Sequence, residues 1–246
     1  MSESHPDRRT EPPPAEDLDA VVRRVDPDRW LASRFVADPL ARADLIALYA
    51  FNYELSRAAE VASQPMIGEI RLAWWREAVE EIFEGRAPRR HPVVQALAEA
   101  VQRRGLSRLA LDGLVDERLR DLDGWPLRPE EVEPYVEGTA GRLMALAAMV
   151  LAPGTDPHSV RHAALAWGLS GLARLRRLPR DWDAAELAHR VEQARLDAGP
   201  ELRRLPVAAF PAVAYAALSG AYLRRRPPSE LGRRIRLTAA VIRGRL

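Results

Sequence analysis

Residues 38–60 read DPLARADLIALYAFNYELSRAAE, and a helix is the only regular element that this stretch accommodates. Proline suits the first helical turn, where its missing N–H has no intrahelical partner, so Asp38-Pro39 marks a start. Leu45, Leu48, Tyr49, Asn52 and Leu55 then recur at three- and four-residue spacing and share one inward face. Gln64-Pro65 breaks the pattern.

The same punctuation repeats along the chain. MIGEIRLAWWREAVEEIFEG, residues 66–85, predicts a second helix with Ile67, Ile70, Trp74, Ala78 and Ile82 in one stripe and Gly85 just past its end. His91-Pro92 opens a third, residues 107–122 form a fourth, and Asp123-Gly124-Trp125-Pro126 is a turn. Residues 130–152, EEVEPYVEGTAGRLMALAAMVLA, read as one long helix. Gly138 and Gly141 each cost about 1 kcal/mol relative to alanine inside it. They make sense where the helix bends or another group must approach its backbone. Further helices are expected from Asp156-Pro157 to Pro179, over 184–205, over 207–225 and from Pro228 onward. Residues 207–223 are apolar but contain Pro211, Ser219 and Gly220, so a buried bundle helix is expected there and not a membrane span. No alternating strand pattern occurs, and the fold class is all-α.

Composition narrows the function. The chain has 246 residues, 47% of them hydrophobic, which suits one helical domain over residues 21–246. Residues 1–20, with four prolines and little to bury, are expected to be a disordered tail and not a secretory signal. Cysteine is absent, which removes disulfides, cysteine nucleophiles and thiolate metal sites, and fits a cytoplasmic location. Every one of the 37 basic residues is arginine, so Schiff-base and P-loop lysines are excluded. A net charge of +2 is too balanced for a general nucleic-acid binder. Eight arginines against the single acid Glu230 lie between residues 224 and 246, a composition suited to peripheral contact with the inner face of an anionic membrane, to an acidic partner or to a solvated helix face.

Three constellations are weaker. His158 and His162 stand four apart, a spacing that can hold a metal, but no HExxH pattern or third ligand accompanies them. Asp112, Asp116, Asp121 and Asp123 alternate with Arg118 and Arg120 and read as a solvated face. Gly168-Leu-Ser170-Gly171 falls one residue short of a nucleophile elbow and lies in a helix.

The segments DRWLASRFVADPLARADLIALYAFNYELSRAAE (28–60), GEIRLAWWREAVEEIFEGR (68–86), YVEGTAGRLM (135–144) and PAVAYAALSGAYLRR (211–225) occur in an order and at separations that resemble the squalene/phytoene synthase family. The resemblance implies an isoprenoid (terpenoid) synthase-type bundle around a central cleft. In active members two Asp-x-x-x-Asp motifs face each other and hold Mg²⁺, which binds the substrate diphosphate and takes up charge as it leaves. Here SRAAE stands at the first motif, so Ser56 and Glu60 occupy the acid positions. GLARLRRLP stands at the second, so Leu175 and Pro179 do.

FNYELSRAAEVASQPMIGEIRLAWWREAVEEIF (51–83) resembles the branch of the family that contains the mitochondrial complex I assembly factor and its bacterial relatives, through Phe51, Asn52, Glu54, Ser63, Gly68, Arg71, Trp75, Val79 and Glu80. That resemblance implies a pseudoenzyme without a cofactor, partnered by complex I subunits or assembly intermediates. The alternative it leaves open is a Mg²⁺-dependent prenyl transferase that condenses isoprenyl diphosphates head to head, with Glu60 and Asp181 or Asp183 as ligands. A second alternative is a metal-free binder of an isoprenoid or lipid phosphate through Arg174, Arg176, Arg177 and Arg180. Candidate cleft residues are Tyr49, Asn52, Glu60, Tyr135, Gly138, Gly141 and Arg174. Phe51, Trp74 and Trp75 are expected in the core.

Overall fold

The computed structural model describes residues 17–60, 64–224 and 227–246, and these contain no strand. Residues 1–16 of the expected tail, together with Ser63, Arg225 and Arg226, lie outside the described residues. Helix α1, Leu18–Val25, begins inside the stretch assigned to the tail, because Asp17 caps it by accepting from the Asp19 N–H at 3.0 Å. Then follow α2 (Pro27–Ser33), α3 (Pro39–Glu60), α4 (Pro65–Phe83), α5 (Pro92–Arg104) and α6 (Arg108–Glu117). Four of these carry proline in their first turn, and Ser107 caps α6. A 3₁₀ turn, Arg118–Leu122, leads on to α7 (Pro129–Val136).

Helix α3 crosses the middle of the molecule and packs on α1, α4, α5 and α8. Leu45, Leu48, Tyr49 and Leu55 are buried on its inner face as expected, and so is Phe51, edge-on to Trp75 at 5.5 Å. The buried stripe of α4 is rotated from the expected one. Ala78 and Ile82 face inward as expected, but Gly68, Leu72, Trp75 and Val79 join them, while Ile67 and Ile70 are 36% and 62% exposed. Packing of Trp75, and not Trp74, against Phe51 sets this rotation.

The long helix around Gly138 and Gly141 forms, but its middle is a π-helical turn, Glu137–Gly141, between α7 and α8 (Arg142–Leu151). A Cβ on Gly138 would lie 2.3 Å from the Glu117 carboxylate, so close approach is what glycine provides here. A 3₁₀ turn, Pro157–Val160, precedes α9 (Arg161–Arg174), which packs on α10 (Ala184–Leu202).

Two helix boundaries differ from the sequence reading. Helix α9 stops at Arg174, well before Pro179. Arg176 takes a left-handed conformation (φ 56°), the Arg176 N–H donates to the Ala173 carbonyl at 3.1 Å and the Arg177 N–H to the Leu172 carbonyl at 2.9 Å. This is a Schellman ending with arginine at the position glycine usually takes. The apolar run expected as a helix over 207–225 is instead two 3₁₀ segments, Val207–Ala212 and Ala214–Leu218, and a single turn α11, Ser219–Tyr222. Pro211 supplies no N–H to an α-helical ladder, and i→i+3 bonds such as Val213 to Phe210 replace it. The run is buried nonetheless, from Ala209 to Ala216. Helix α12, Glu230–Arg243, closes the described chain, and no helix among the described residues is long and apolar enough to cross a membrane.

Two glycines one turn apart on α9 offer a paired test. A Cβ at Gly168 would stand 2.4 Å from Val136 Cγ1, a short, branched and buried side chain that cannot swing away, whereas nothing lies within 4 Å of one at Gly171. Gly168→Ala is expected to destabilise by about 1–3 kcal/mol. Gly171→Ala is expected to stabilise by about 0.5–1 kcal/mol through helix propensity. Urea denaturation measures both, and equal shifts would contradict this packing.

Candidate functional site: an arginine-lined cleft

A cleft of about 400 Å³ opens between α3, α9, the π turn and the ends of α2, α11 and α12. Asn52, Ser56 and Glu60 come from successive turns of α3, and Arg174, Leu175 and Arg177 come from the end of α9. The Schellman turn is what brings Arg177 in. By reversing the chain at Arg176 it turns the Arg177 guanidinium over the Trp125 ring, 4.2 Å from its centroid, and leaves it 3.7 Å from Glu60 Oε1. Leu175 is left 56% exposed.

On the inner wall Arg118 holds a buried network. Its Nη1 donates to Asp121 Oδ2 and to the Tyr135 hydroxyl, both at 3.2 Å, and its Nη2 donates to Asn52 Oδ1 at 3.1 Å. The Tyr135 hydroxyl in turn donates to Asp121 Oδ1 at 2.7 Å. Burial pushes the Tyr135 phenol above its ordinary value, and Arg118 pulls it back only in part. Across the cleft Asp28 is buried, accepts from Tyr222 and pairs with Arg233 at 3.1 Å. Burial and the Asp28 carboxylate push the Tyr222 phenol up to about 12. Beneath them Arg29 pairs with Asp26 at 2.6 Å and lies over Tyr215, Trp167 and Tyr49 at 4.9, 5.6 and 5.8 Å.

Five arginines (29, 118, 174, 177 and 233) therefore line the cleft against Asp26, Asp28 and Glu60. Arg174 has no carboxylate partner among the described residues and stacks on Tyr222 at 4.2 Å and Trp167 at 5.3 Å. This donor set does not fit a magnesium cluster. Of the four motif positions only Glu60 is acidic, a guanidinium already faces it, and the described residues contain no group of three or more His, Asp or Glu side chains able to hold a metal. Asp183 caps α10 by accepting from the Glu186 N–H at 2.8 Å, and Asp181 does not line the cleft.

The structure brings together Asn52, Ser56, Glu60, Tyr135, Arg174 and Leu175. It removes four others from the cleft. Tyr49 is sealed in the core beneath Arg29, Gly138 lies under Glu117, and Pro179 is buried beyond the Schellman turn. Gly141 opens on a separate cavity of about 340 Å³ on the far side of the π turn, which His158 and His162 also line. His162 Nδ1 lies 2.6 Å from Glu201, a pairing that accounts for this histidine without a metal. Arg176 and Arg180 are exposed and outside the cleft. Sequence reasoning missed Asp28, Arg29, Arg118, Tyr222 and Arg233. It also read Arg118 and Asp121 as solvated, although both are buried. Their sequence signal was slight, because an Arg-Asp pair three residues apart looks the same on a surface helix.

Arg118→Met is expected to destabilise the protein by about 3–5 kcal/mol, since it strands the Asp121 carboxylate in the interior. Adding Asp121→Asn should recover part of that loss by removing the uncompensated charge. Urea denaturation of the single and double variants reads this coupling, and purely additive losses would count against the network.

Comparison with known proteins agrees with this fold. The squalene/phytoene synthase profile matches residues 22–185. Complex I assembly factor 6 of Rattus norvegicus is 34% identical over 145 residues, 58% of this chain and 42% of that protein. The Homo sapiens factor is 33% identical over 132 residues, 53% and 39%. The chain thus matches these relatives over less than half of their length. Among solved structures, a dehydrosqualene synthase superposes with a TM-score of 0.73 at 13% identity, covering 92% of this chain and 94% of that one. Squalene synthase HpnC from Alicyclobacillus acidocaldarius gives 0.68 at 16% identity, with 92% coverage of both chains. At those identities the likeness establishes the isoprenoid synthase-type helical fold. With the profile match spanning two thirds of its length, the chain belongs to the squalene/phytoene synthase family.

Proposed function

We propose that this chain is a non-catalytic member of its family that assists assembly of respiratory complex I, with the cleft serving as a binding platform. The observation that carries the reading is the charge of the cleft. Where a metal-dependent synthase needs converging carboxylates, Ser56, Leu175 and Pro179 offer none, and Glu60 faces Arg177 at 3.7 Å. The relatives named complex I assembly factor 6 supply the process. Complex I subunits or assembly intermediates are the partners under this reading, with the protein on the cytoplasmic side of the membrane and no bound cofactor.

Deleting the gene from its host is expected to lower complex I activity severalfold and leave isoprenoid-derived lipids unchanged, and the tagged protein is expected to co-purify with complex I subunits. In vitro, farnesyl or geranylgeranyl diphosphate with Mg²⁺ should release no inorganic diphosphate above background. Release that depends on Mg²⁺ and falls sharply in Glu60→Gln would overturn the reading in favour of a head-to-head prenyl transferase.

Arg174 favours a second reading, a metal-free binder of an isoprenoid or lipid phosphate. A guanidinium without a carboxylate partner, steadied by two aromatic rings at the cleft mouth, matches phosphate oxygens in charge and geometry. Farnesyl phosphate in EDTA is then expected to raise the melting temperature, and Arg174→Glu with Arg177→Glu is expected to abolish the rise. A rise that persists in the double variant would remove the arginine account.

A further inference from the structure

Helix α12 presents two faces that the cleft does not use. Leu237 and Ala240 point into the core. On the opposite side Leu231, Ile235 and Ile242 are 67%, 60% and 79% exposed. Their separations of four and seven residues put them on one stripe of the helix. Three exposed aliphatic side chains on one stripe of a helix anchored by its other side make a candidate contact surface.

Alongside this stripe runs a groove of about 770 Å³ between α12, α10 and the 3₁₀ segment before α11. Arg195, Arg236, Arg243 and Arg245 line it, and no Asp or Glu side chain does. Ile235 belongs to both the groove and the stripe, so the two form one continuous surface. Arg236, Arg243 and Arg245 make no ion pair among the described residues. Glu192 pairs with the groove's own Arg195 at 2.7 Å and Glu230 with Arg234 at 2.5 Å, which leaves the other three groove arginines without a carboxylate among the described residues. Other arginines have their charge met by carboxylates, as Arg103 and Arg104 do at Asp44, both at 2.7 Å, whereas these three present theirs to solvent.

We propose that α12 and this groove form a docking surface for an anionic phospholipid bilayer, with α12 lying in the plane of the interface. The bilayer surface is the partner whose chemistry meets both halves of the surface. Phosphate headgroups would fill the arginine groove by charge complementarity, and the acyl boundary would take up Leu231, Ile235 and Ile242. A nucleic acid would satisfy the arginines and leave the aliphatic stripe in water. An acidic protein surface would be driven mainly by the same charges and would have no preference for lipid. The surface stands apart from the cleft and does not depend on the assembly reading, so either can fail alone.

Co-sedimentation of the full chain with large unilamellar vesicles tests this. The protein is expected to pellet with vesicles of phosphatidylcholine mixed with phosphatidylglycerol, and not with phosphatidylcholine alone. Binding should weaken as salt rises from about 100 to about 500 mM. Arg236→Gln/Arg243→Gln/Arg245→Gln should lower the partition coefficient on the order of 100-fold, at about fivefold per arginine. Leu231→Ser/Ile235→Ser/Ile242→Ser should remove the binding that survives high salt. All these positions are exposed or border the groove, so circular dichroism should report unchanged folding, and Arg128→Gln on a distant exposed helix end serves as a control that should bind normally. Failure to pellet with anionic vesicles at low salt would overturn the proposal. So would binding that neither triple variant reduces, and so would equal competition by soluble polyglutamate in the wild type and the serine variant, which would point to an acidic protein instead.

Discussion

Arg29 carries a positive charge into the interior of the bundle, and the surrounding helices are arranged around what that charge requires. Burial opposes the guanidinium, but Asp26 and the neighbouring tyrosines raise its pKa above the ordinary arginine value, so it stays charged. Asp26 both accepts from the Arg29 N–H at 3.3 Å, capping α2, and pairs with the side chain at 2.6 Å. The ring faces of Tyr49, Trp167 and Tyr215 complete the enclosure, drawn from α3, α9 and the 3₁₀ segment before α11. One side chain of α2 therefore joins its helix to three other elements, two of them far away in sequence. Arg118 does the same on the facing wall, joining α3 and α7 through Asn52 and Tyr135. Desolvated charges of this kind are costly unless each partner stays in position, so the cleft between them keeps a polar lining and does not close into an apolar core.

That lining has a sign, and the sign bears on chemistry. A metal-dependent handling of diphosphate needs carboxylates to gather cations, and the cations then meet the phosphate. Here the wall supplies cations directly as guanidinium groups, and the acids present are already engaged by arginines. The left-handed Arg176 sharpens this arrangement. A non-glycine residue in that conformation costs about 1–2 kcal/mol, and what it accomplishes is the turn that presents Arg177 to Glu60 and Trp125. Local strain spent on aiming a charged group into a cleft is the pattern found where binding matters. It suits the proposed platform better than a relic of a lost active site.

Much of the fold could be read from residue patterns because its causes are local. Proline at helix starts, Asp and Ser caps and the spacing of Leu45, Leu48, Tyr49 and Leu55 act within one or two turns. The close approach at Gly138 was also foreseeable, since a glycine in a helix interior needs a reason and Glu117 is that reason. The misreadings have two causes. The rotation of α4 and the burial of Arg118 follow from neighbours distant in the chain, whereas the 3₁₀ geometry around Pro211 follows from a missing N–H within an apolar run that otherwise reads as helix.

The site divides along the same line. Residue identity, in the register the family resemblance implies, showed that three of the four positions matched to the family's metal-binding acids hold none, because chemistry absent from a side chain cannot be restored by folding. It also carried the family resemblance and the all-α class, which depend on order and periodicity along the chain. Which residues take the place of the missing acids emerged only when helices far apart in sequence were packed together. Arg29, Arg118, Arg177 and Arg233 look like ordinary surface arginines in a chain that has 37 of them. Their meeting around one cleft is set by long-range contacts and by desolvation, and neither leaves a periodic trace in the order of amino acids.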